Sequence, residues 1–597
     1  MRRRLLAAVL GGVLLPAGLT GCGIPDSSGV QMDGQGPAVE SGPYAGAAAQ
    51  PPTRTASDDP KQFVLNYLAA AAGERDGAYE RVKQFIAPEA RSRVREKQGS
   101  EVTLHVVRLR ENPEDTANSD GTSDVRVKVQ QVGVLRADGT LAPPVLTETQ
   151  YLFKLRPADT GDPGLLLTTP QNVLLLSEDA LQYYYGTHTI YFWNSDQTRL
   201  VPDQRYLPVV VPAERRVTEI VRWLAGGPPD WLAPGVTRLP DSTSLINNAT
   251  GSDDGRWEIN LNMPGANDKR LTRLATQLAW SLPEFAKQLD LKIGNQSRRT
   301  VDLEQERLTN PAYPTSGSPQ RFCVYDGAIH ALSFAGEPRG SVPLAAAANK
   351  AVVSAALSRA GDGILAALVV TRADRKQRLV VGHGPQPVSK PKGEGWYGSI
   401  GRPTWLRSTD PRQPYGLVVA DGRLYRFDGD GGMSQVSLAV SGTVSAVAAS
   451  LDGHRIALIV DGALYVAAVS LDGGVVAVGQ PRRLVTKLAD LSAVDWSGEN
   501  KLIIAGYEGR PAIYETGVDG AEESPRKQDI GARVTHLSAY AADSVGPLPT
   551  GAYMYEANKV AYQSNPFDTI KRDQVLNVTA PAAGVRASNP TAPFFLY

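Results

Sequence analysis

Cysteine is almost absent. The 597 residues contain two, Cys22 and Cys323, which excludes a disulfide scaffold and every multi-cysteine zinc site. Histidine is nearly as sparse. His105, His188, His330, His383, His454 and His536 are the only six, and they lie too far apart in the chain for a local His-based metal motif. Neither sign of charge is in surplus: 62 Lys plus Arg face 62 Asp plus Glu, which argues against a nucleic-acid binder with its basic excess or stripe. H-E-x-x-H, G-x-S-x-G and the phosphate-binding P-loop do not occur. What is present is an ordinary globular composition, 42% hydrophobic. At roughly 100–200 residues per domain it implies several domains.

The N-terminus reads as an address. Arg2, Arg3 and Arg4 precede an apolar run from Leu5 to Leu15, the layout of a secretory signal. The run is shorter than the ~20 residues that span a bilayer. Leu19-Thr20-Gly21-Cys22 follows and resembles the lipobox of bacterial lipoproteins. That resemblance implies a diacylglycerol on the Cys22 sulfur and cleavage before it, after a signal peptide of residues 1–21. The alternative is an ordinary secreted protein with a cysteine at that place. Residues 22–57 are rich in Gly, Pro, Ser, Ala and Gln without apolar periodicity, and read as a flexible tether with an r.m.s. reach of ~30–35 Å. The folded part is then expected on the extracytoplasmic face, close enough to meet another membrane protein's outer domain. With Cys22 acylated, Cys323 has no partner; between Phe322 and Val324 it reads as a small buried hydrophobe.

Three folded units are expected. The first, residues 58–185, opens with Asp59 as N-cap, Pro60 at the first helical position and Gln62 at the capping-box position. Phe63, Val64, Tyr67, Leu68 and Ala71 then mark one helical face, and Val82, Phe85 and Ile86 a shorter helix. Alternation follows in Val102/Leu104/Val106, Val125/Val127/Val129 and Tyr151/Phe153/Leu155. Helices before strands give an α+β unit with a cone-like shape. The second unit, residues 188–300, alternates strands and helices: Ile190–Trp193, Tyr206–Val211, a helix through Val217, Ile220, Val221 and Leu224 stopped by Gly226-Gly227-Pro228-Pro229, a strand at Trp257–Leu261, a Leu-rich helix from Leu271 to Leu282, and a strand at Leu289–Ile293. The third unit, residues 320–597, has short β runs with Asp-Gly turns. Ser354, Thr404, Ser445, Ser492 and Thr535 anchor a weak repeat spaced by 50, 41, 47 and 43 residues, the length of a four-stranded propeller blade. Asp421-Gly422 and Asp461-Gly462 are hairpin turns in that frame. A propeller of about six blades fills the length available; a pair of β-sandwiches is the competing reading.

Little in the chain carries chemistry. Ser389-Lys390-Pro391-Lys392 matches S-x-x-K only formally, because it sits in a Pro-rich loop. Asp428-Gly429-Asp430-Gly431-Gly432 lacks the Glu that closes a calcium loop and reads as a turn, as does Asp253-Asp254-Gly255. Tyr183-Tyr184-Tyr185 with Tyr191, Phe192 and Trp193 reads as core at a domain junction, with a binding patch as the alternative. No catalytic residue, metal ligand or cofactor is expected, and ligand-binding residues are left unassigned.

Tyr191-Phe192-Trp193, the helix end Leu224-Ala225-Gly226-Gly227-Pro228 and the Pro234–Leu239 segment resemble a GerMN domain, a module thought to bind rather than to catalyse. Lipobox, tether, α+β domain, GerMN domain and β-propeller in that order, with the start Cys22-Gly23-Ile24-Pro25-Asp26-Ser27-Ser28-Gly29, resemble the LpqB lipoproteins of actinobacteria. The resemblance implies a non-catalytic, membrane-anchored accessory of the MtrAB two-component system. Its implied partner is the extracytoplasmic domain of the sensor histidine kinase MtrB, with effects on envelope homeostasis and division. Two other classes stay open: an envelope binding protein with Trp405 and Trp496 lining a groove for a cell-wall glycan or small ligand, and an envelope enzyme with acids and a histidine clustered at the propeller centre.

Overall fold

The computed structural model describes residues 50–144, 148–159, 162–313, 319–334, 339–407, 412–541, 552–564, 567–579 and 588–597. The signal segment, the lipobox with Cys22 and the tether up to residue 49 lie outside the described residues. Residues 54–56, assigned to the tether by composition, form a 3-10 turn. Arg54 holds it down by donating to the Pro163 carbonyl at 2.6 Å and pairing with Asp162 at 3.2 Å.

Helix α1 (Pro60–Ala69) starts where its cap chemistry places it, with the Asp59 carboxylate accepting the Gln62 N–H at 2.8 Å. The reciprocal half of the capping box does not form. The Gln62 amide donates instead to Asn66 Oδ1 at 3.0 Å, and the Asp59 N–H is taken by Ser57 Oγ at 3.1 Å. Phe63, Val64, Tyr67 and Leu68 are buried. They share one core with Val82 of α2 (Ala78–Gln84) and with Phe85 and Ile86 just beyond it. Beneath lies a sheet whose main path runs Leu165–Leu167, Glu148–Pro157, Ser123–Leu135, Leu104–Leu109, Leu174–Ser177. Val125, Val127 and Val129 point inward while Arg126 and Lys128 are exposed, the period-two pattern of a sheet covered on one face. Val102 precedes its strand rather than opening it.

Helix α3 (Glu178–Tyr184), capped by Ser177, runs directly into the strand Tyr185–Trp193. The break expected between residues 185 and 188 therefore falls inside one strand. That strand pairs in a hairpin with Leu200–Pro208; residues 209–211, expected to be strand, form a turn. Helix α4 (Ala213–Gly226) ends as the glycines require, Gly227 standing at φ 91°. Arg256–Asn262 and Gln288–Ile293 pair in parallel across helix α5 (Asp268–Ser281), since a parallel pair needs a crossover. Leu271, Leu274, Ala275 and Leu278 of α5 are buried, at ~1.5–3 kcal/mol for each large apolar side chain. The middle domain does not stop near 300. Strand Gln296–Asp302 and helix α6 (Leu303–Thr309) follow. The helix is fastened to α5 by Thr276 Oγ1 donating to Glu306 (2.6 Å) and Arg307 donating to the Ala279 carbonyl (2.8 Å). Only Leu303 of α6 is buried, so no apolar period announces it.

The C-terminal region is a propeller-like ring of β-sheets. The first strands Val352–Ala360, Thr404–Trp405, Val444–Ala449, Ala489–Gly498 and Val534–Tyr540 contact one another in turn, and Thr591–Leu596 closes the ring between the last and the first. All five repeat anchors sit on these strands: Ser354, Thr404, Ser445, Ser492 and Thr535. The closure is made by the far ends of the region. Thr591–Leu596 pairs antiparallel with Gln320–Tyr325, and one parallel bridge, Leu357 to Leu596, joins it to the neighbouring sheet. The expected hairpins are present. Asp421 and Gly422 (φ 46° and 75°) join Ala420 to Arg423, and Asp461 and Gly462 (46° and 74°) join Val460 to Ala463. Both central residues have positive φ, the geometry that matches strand twist. Each aspartate also accepts a backbone N–H from the preceding segment, Ser399 at 2.8 Å and Thr443 at 2.9 Å. Cys323 is fully buried, and burial pushes its thiol up to about 12.

Candidate functional site

Two places concentrate buried charge. The first is the junction where both N-terminal domains meet the ring. Arg108, in the strand Leu104–Leu109, donates from Nε and Nη2 to the Glu178 carboxylate at 2.6 and 2.8 Å. It also donates to the Gly520 carbonyl at 2.9 Å and pairs with Glu523 at 3.0 Å, both from the ring. Glu523 accepts further from Thr486 Oγ1 and from the Lys487 N–H at 2.9 Å. Its side chain is fully enclosed, and burial raises its pKa against the pull of Arg108.

The middle domain docks beside it. Glu499 accepts the phenol hydroxyls of Tyr191 at 2.9 Å and Tyr313 at 2.6 Å. The next residue, Asn500, donates to Thr189 Oγ1 at 3.1 Å. Arg455 holds this loop, donating to Asp452 (2.9 Å), Asn500 Oδ1 (2.9 Å) and the Glu499 carbonyl (2.7 Å), with Trp496 beneath its guanidinium at 4.9 Å. Asn194 Nδ2 lies 2.8 Å from His454 Nε2, while His454 Nδ1 faces the Val469 carbonyl at 3.1 Å. A carbonyl accepts only, so Nδ1 carries the proton and Nε2 accepts from Asn194. Arg205 ties the two N-terminal domains together, donating to Asp203 (2.6 Å) and to the carbonyls of Asp138 (2.8 Å) and Gly227 (3.2 Å). Leu451 and Ala541 of the ring pack with Tyr191, Leu200 and Tyr313 of the middle domain.

The second place is the axis of the ring. A pocket with about 30 Å³ of water-accessible space touches every first strand, and Arg402, Trp405, Arg407, Asp495, Ser538 and Tyr597 supply its polar and aromatic lining. It lies toward the end at which the Val444–Ala449 and Ala489–Gly498 strands turn into the loops that carry Arg455 and Glu499. Asp495 Oδ2 pairs with Arg402 at 3.0 Å and accepts the Ala539 N–H at 2.8 Å; Oδ1 accepts the Trp496 N–H at 3.0 Å. The Arg407 guanidinium stacks 3.4 Å from the Tyr597 ring centre, and the Tyr597 hydroxyl donates to the Ala539 carbonyl. Arg402 Nη2 and His536 Nε2 are buried and have no hydrogen-bond partner. Burial, helped by Arg402, pulls His536 down to about 3, so its imidazole is neutral at pH 7.

The residues singled out from sequence fall mostly on structural roles. Tyr185, Tyr191 and Phe192 are buried where the domains meet, whereas Tyr183 is 65% exposed. Asp428 closes its own turn by accepting the N–H groups of Asp430 and Gly432, and Asp430 pairs with Lys392. Asp254 closes its turn by accepting from Ser252 and Arg256. Trp405 lines the axial pocket, and Trp496 does not. Both are buried, with indole N–H groups donating to the carbonyls of Ala356 and Ala448. Among the described residues no three metal-ligating side chains gather. Among the described residues Asp495 is the one side-chain carboxylate lining the axial pocket, and three donors already hold it. Sequence reasoning missed Arg402, Arg407, Asp495, His536 and Tyr597. One signal was available: Asp495 is an acid inside the apolar strand Ala493-Val494-Asp495-Trp496.

A family model described as the Lipoprotein LpqB beta-propeller domain matches residues 340–545, and the Germane model, described as sporulation and spore germination, matches residues 189–298. The chain is 24% identical over 583 residues to Lipoprotein LpqB of Streptomyces avermitilis, covering 90% of this chain and 92% of that protein. It is 25% identical over 597 residues to the Mycolicibacterium smegmatis protein of the same name, covering 94% and 97%. The Thermobifida fusca protein matches at 28% over 236 residues, 36% of this chain and 37% of that protein. Among solved structures, the tandem GerMN domains of the sporulation protein GerM from Bacillus subtilis align at 15% identity and TM-score 0.16, covering 20% of this chain and 46% of that one. TolB from Acinetobacter baumannii aligns at 9% identity and TM-score 0.29, covering 59% and 98%.

Proposed function

This chain belongs to the LpqB lipoprotein family, and from that premise we propose that it is a non-catalytic accessory, anchored through a lipid on Cys22 at the extracytoplasmic face. In this reading it docks on the outer domain of a membrane sensor histidine kinase of the MtrB kind and shifts that kinase's equilibrium, with consequences for envelope homeostasis and division. A partner that binds one kinase state better biases the population toward it. Confinement of both proteins to one membrane raises their effective concentration, so a modest interface suffices.

The observation that supports this reading best is the junction. Buried charges are spent on welding three domains into one body, the use expected of a rigid docking platform. In this reading the ring has six blades, one for each first strand, with Gln320–Tyr325 and Thr591–Leu596 sharing the closing blade. The helix-on-sheet N-terminal domain is the cone-like unit. A glycan or drug-sized ligand is disfavoured as cargo of the axial pocket, because such sites usually enclose ~300–1,000 Å³.

The test uses the intact chain, because separating the domains would strip Arg108 and Glu499 of their partners. Immobilised chain should retain the kinase's outer domain, and Cys22→Ser should release the protein from the membrane fraction with that binding intact. Failure of the intact chain to retain the kinase domain overturns the regulatory reading. A Cys22→Ser protein that stays in the membrane overturns the anchor.

A further inference from the structure

The axial pocket is a built site with an unmet demand. Among the described residues, two arginines and one side-chain carboxylate line it. Asp495 neutralises Arg402 from one side only: Nη1 is tied to the carboxylate at 3.0 Å, while Nη2 is buried and unpartnered. An unpaired guanidinium N–H inside a protein carries a desolvation cost that an anionic acceptor relieves. The Arg407 guanidinium carbon stands 3.4 Å from the Tyr597 ring centre, which holds this second cation at the pocket wall. His536, on the same strand as Ser538, is neutral beside Arg402, so the pocket's positive charge comes from the arginines. The space, about 30 Å³, admits about two water-sized groups. That suits the two oxygens of a carboxylate and is too small for a sugar ring.

We propose that the axial pocket binds a single carboxylate group, held between Arg402 Nη2 and the Arg407 guanidinium and delivered by a small organic acid or by an acidic end of a polypeptide. The site needs no kinase and no lipid, so it stands apart from the regulatory reading above. Its position beneath the loops that carry Arg455 and Glu499 places it next to the middle-domain junction. Tyr597 belongs to both, lining the pocket and packing with Tyr191, Tyr313 and Leu451.

The test is calorimetric titration of the unanchored Cys22→Ser chain, at constant ionic strength, with sodium acetate, sodium succinate, a short peptide bearing a free terminal carboxylate, and the same peptide amidated. Saturable binding of carboxylate probes is expected, with none for the amide. Acetate and peptide both binding identifies a free acid as sufficient; peptide alone binding identifies a chain end. Arg407→Gln should weaken binding about tenfold or more, the scale of one charge-assisted hydrogen bond. Asp495→Asn, which removes the competing carboxylate, should strengthen it severalfold, with circular dichroism confirming that the variant is folded. The site is refuted if no carboxylate probe saturates the parent chain. It is also refuted if Arg407→Gln binds as tightly as the parent, which would place the acid elsewhere or leave Arg402 merely hydrated.

Discussion

The junction and the axis both bury arginine, and they treat it in opposite ways. At the junction Arg108 and Arg205 spend their donors on carboxylates and carbonyls drawn from two domains at once, and Arg455 spends its own on a carboxylate, an amide and a carbonyl of the ring loop that meets the middle domain. Arg482 is the partial exception: Nη2 donates to the Leu141 carbonyl at 2.5 Å, but Nε has no partner. At the axis Arg402 meets one carboxylate and keeps a buried N–H open, beside a neutral histidine whose Nε2 is also unpartnered. A closed network specifies one arrangement of domains; an open one is chemistry held in reserve. Buried charge alone therefore does not mark a site. The informative feature is whether its hydrogen-bond capacity is used up.

The largest test of this contrast is Glu523→Ala. It leaves Arg108 buried with half its charge partners gone and is expected to cost ~3–5 kcal/mol. Urea unfolding should show the loss, with the N-terminal domain becoming protease-sensitive before the ring. A change below about 1 kcal/mol would mean that the junction is held by packing rather than charge.

Acid comes next. His536 is depressed in the fold from 6.5 to about 3, so the unfolded chain takes up a proton there that the folded chain refuses. Its contribution to stability is complete above pH 6.5 and is lost as pH falls toward 3, on the order of 5 kcal/mol. His188, lowered to about 4 chiefly by burial, acts in the same sense. His536→Phe should flatten the pH dependence of the urea midpoint between pH 6.5 and 4; an unchanged slope would show that His536 is solvated.

Asn194→Ala removes the hydrogen bond to His454 across the docking face together with three to Thr198 and Arg199 that shape its own turn, at ~2–3 kcal/mol, readable as a fall in the thermal midpoint. Tyr183→Ser marks the lower bound. The side chain is 65% exposed and makes no hydrogen bond to either network, so stability should move by no more than ~0.5 kcal/mol. A loss of kinase-domain retention in that variant would locate the contact face there.

Local features were legible where the cause is local. The Asp59 cap and Pro60, the Gly226-Gly227 stop, the Asp-Gly hairpins and the five blade anchors depend on residues a few positions apart, and each stands where its chemistry places it. Helix α6 was not legible, because its sequence Leu-Glu-Gln-Glu-Arg-Leu-Thr buries a single side chain. The capping box was half right: Gln62 could accept from the Asp59 N–H or donate to Asn66, and only the packed helix chooses Asn66. The tether's end and the 185–188 boundary were misplaced because composition does not register a contact such as Arg54 with Pro163, 109 residues away, or a helix running straight into a strand.

By itself the sequence determined the exclusions, the order of the modules and the repeat, since these are written in residue type and spacing. Only the tertiary structure decided which charges are structural and which are open. Arg108 and Gly520 stand 412 positions apart, and Tyr191 and Glu499 stand 308 apart. The axial pocket draws one strand from each part of the ring. Whether a buried donor is satisfied is a property of the whole packed chain, and no short stretch of residues encodes it.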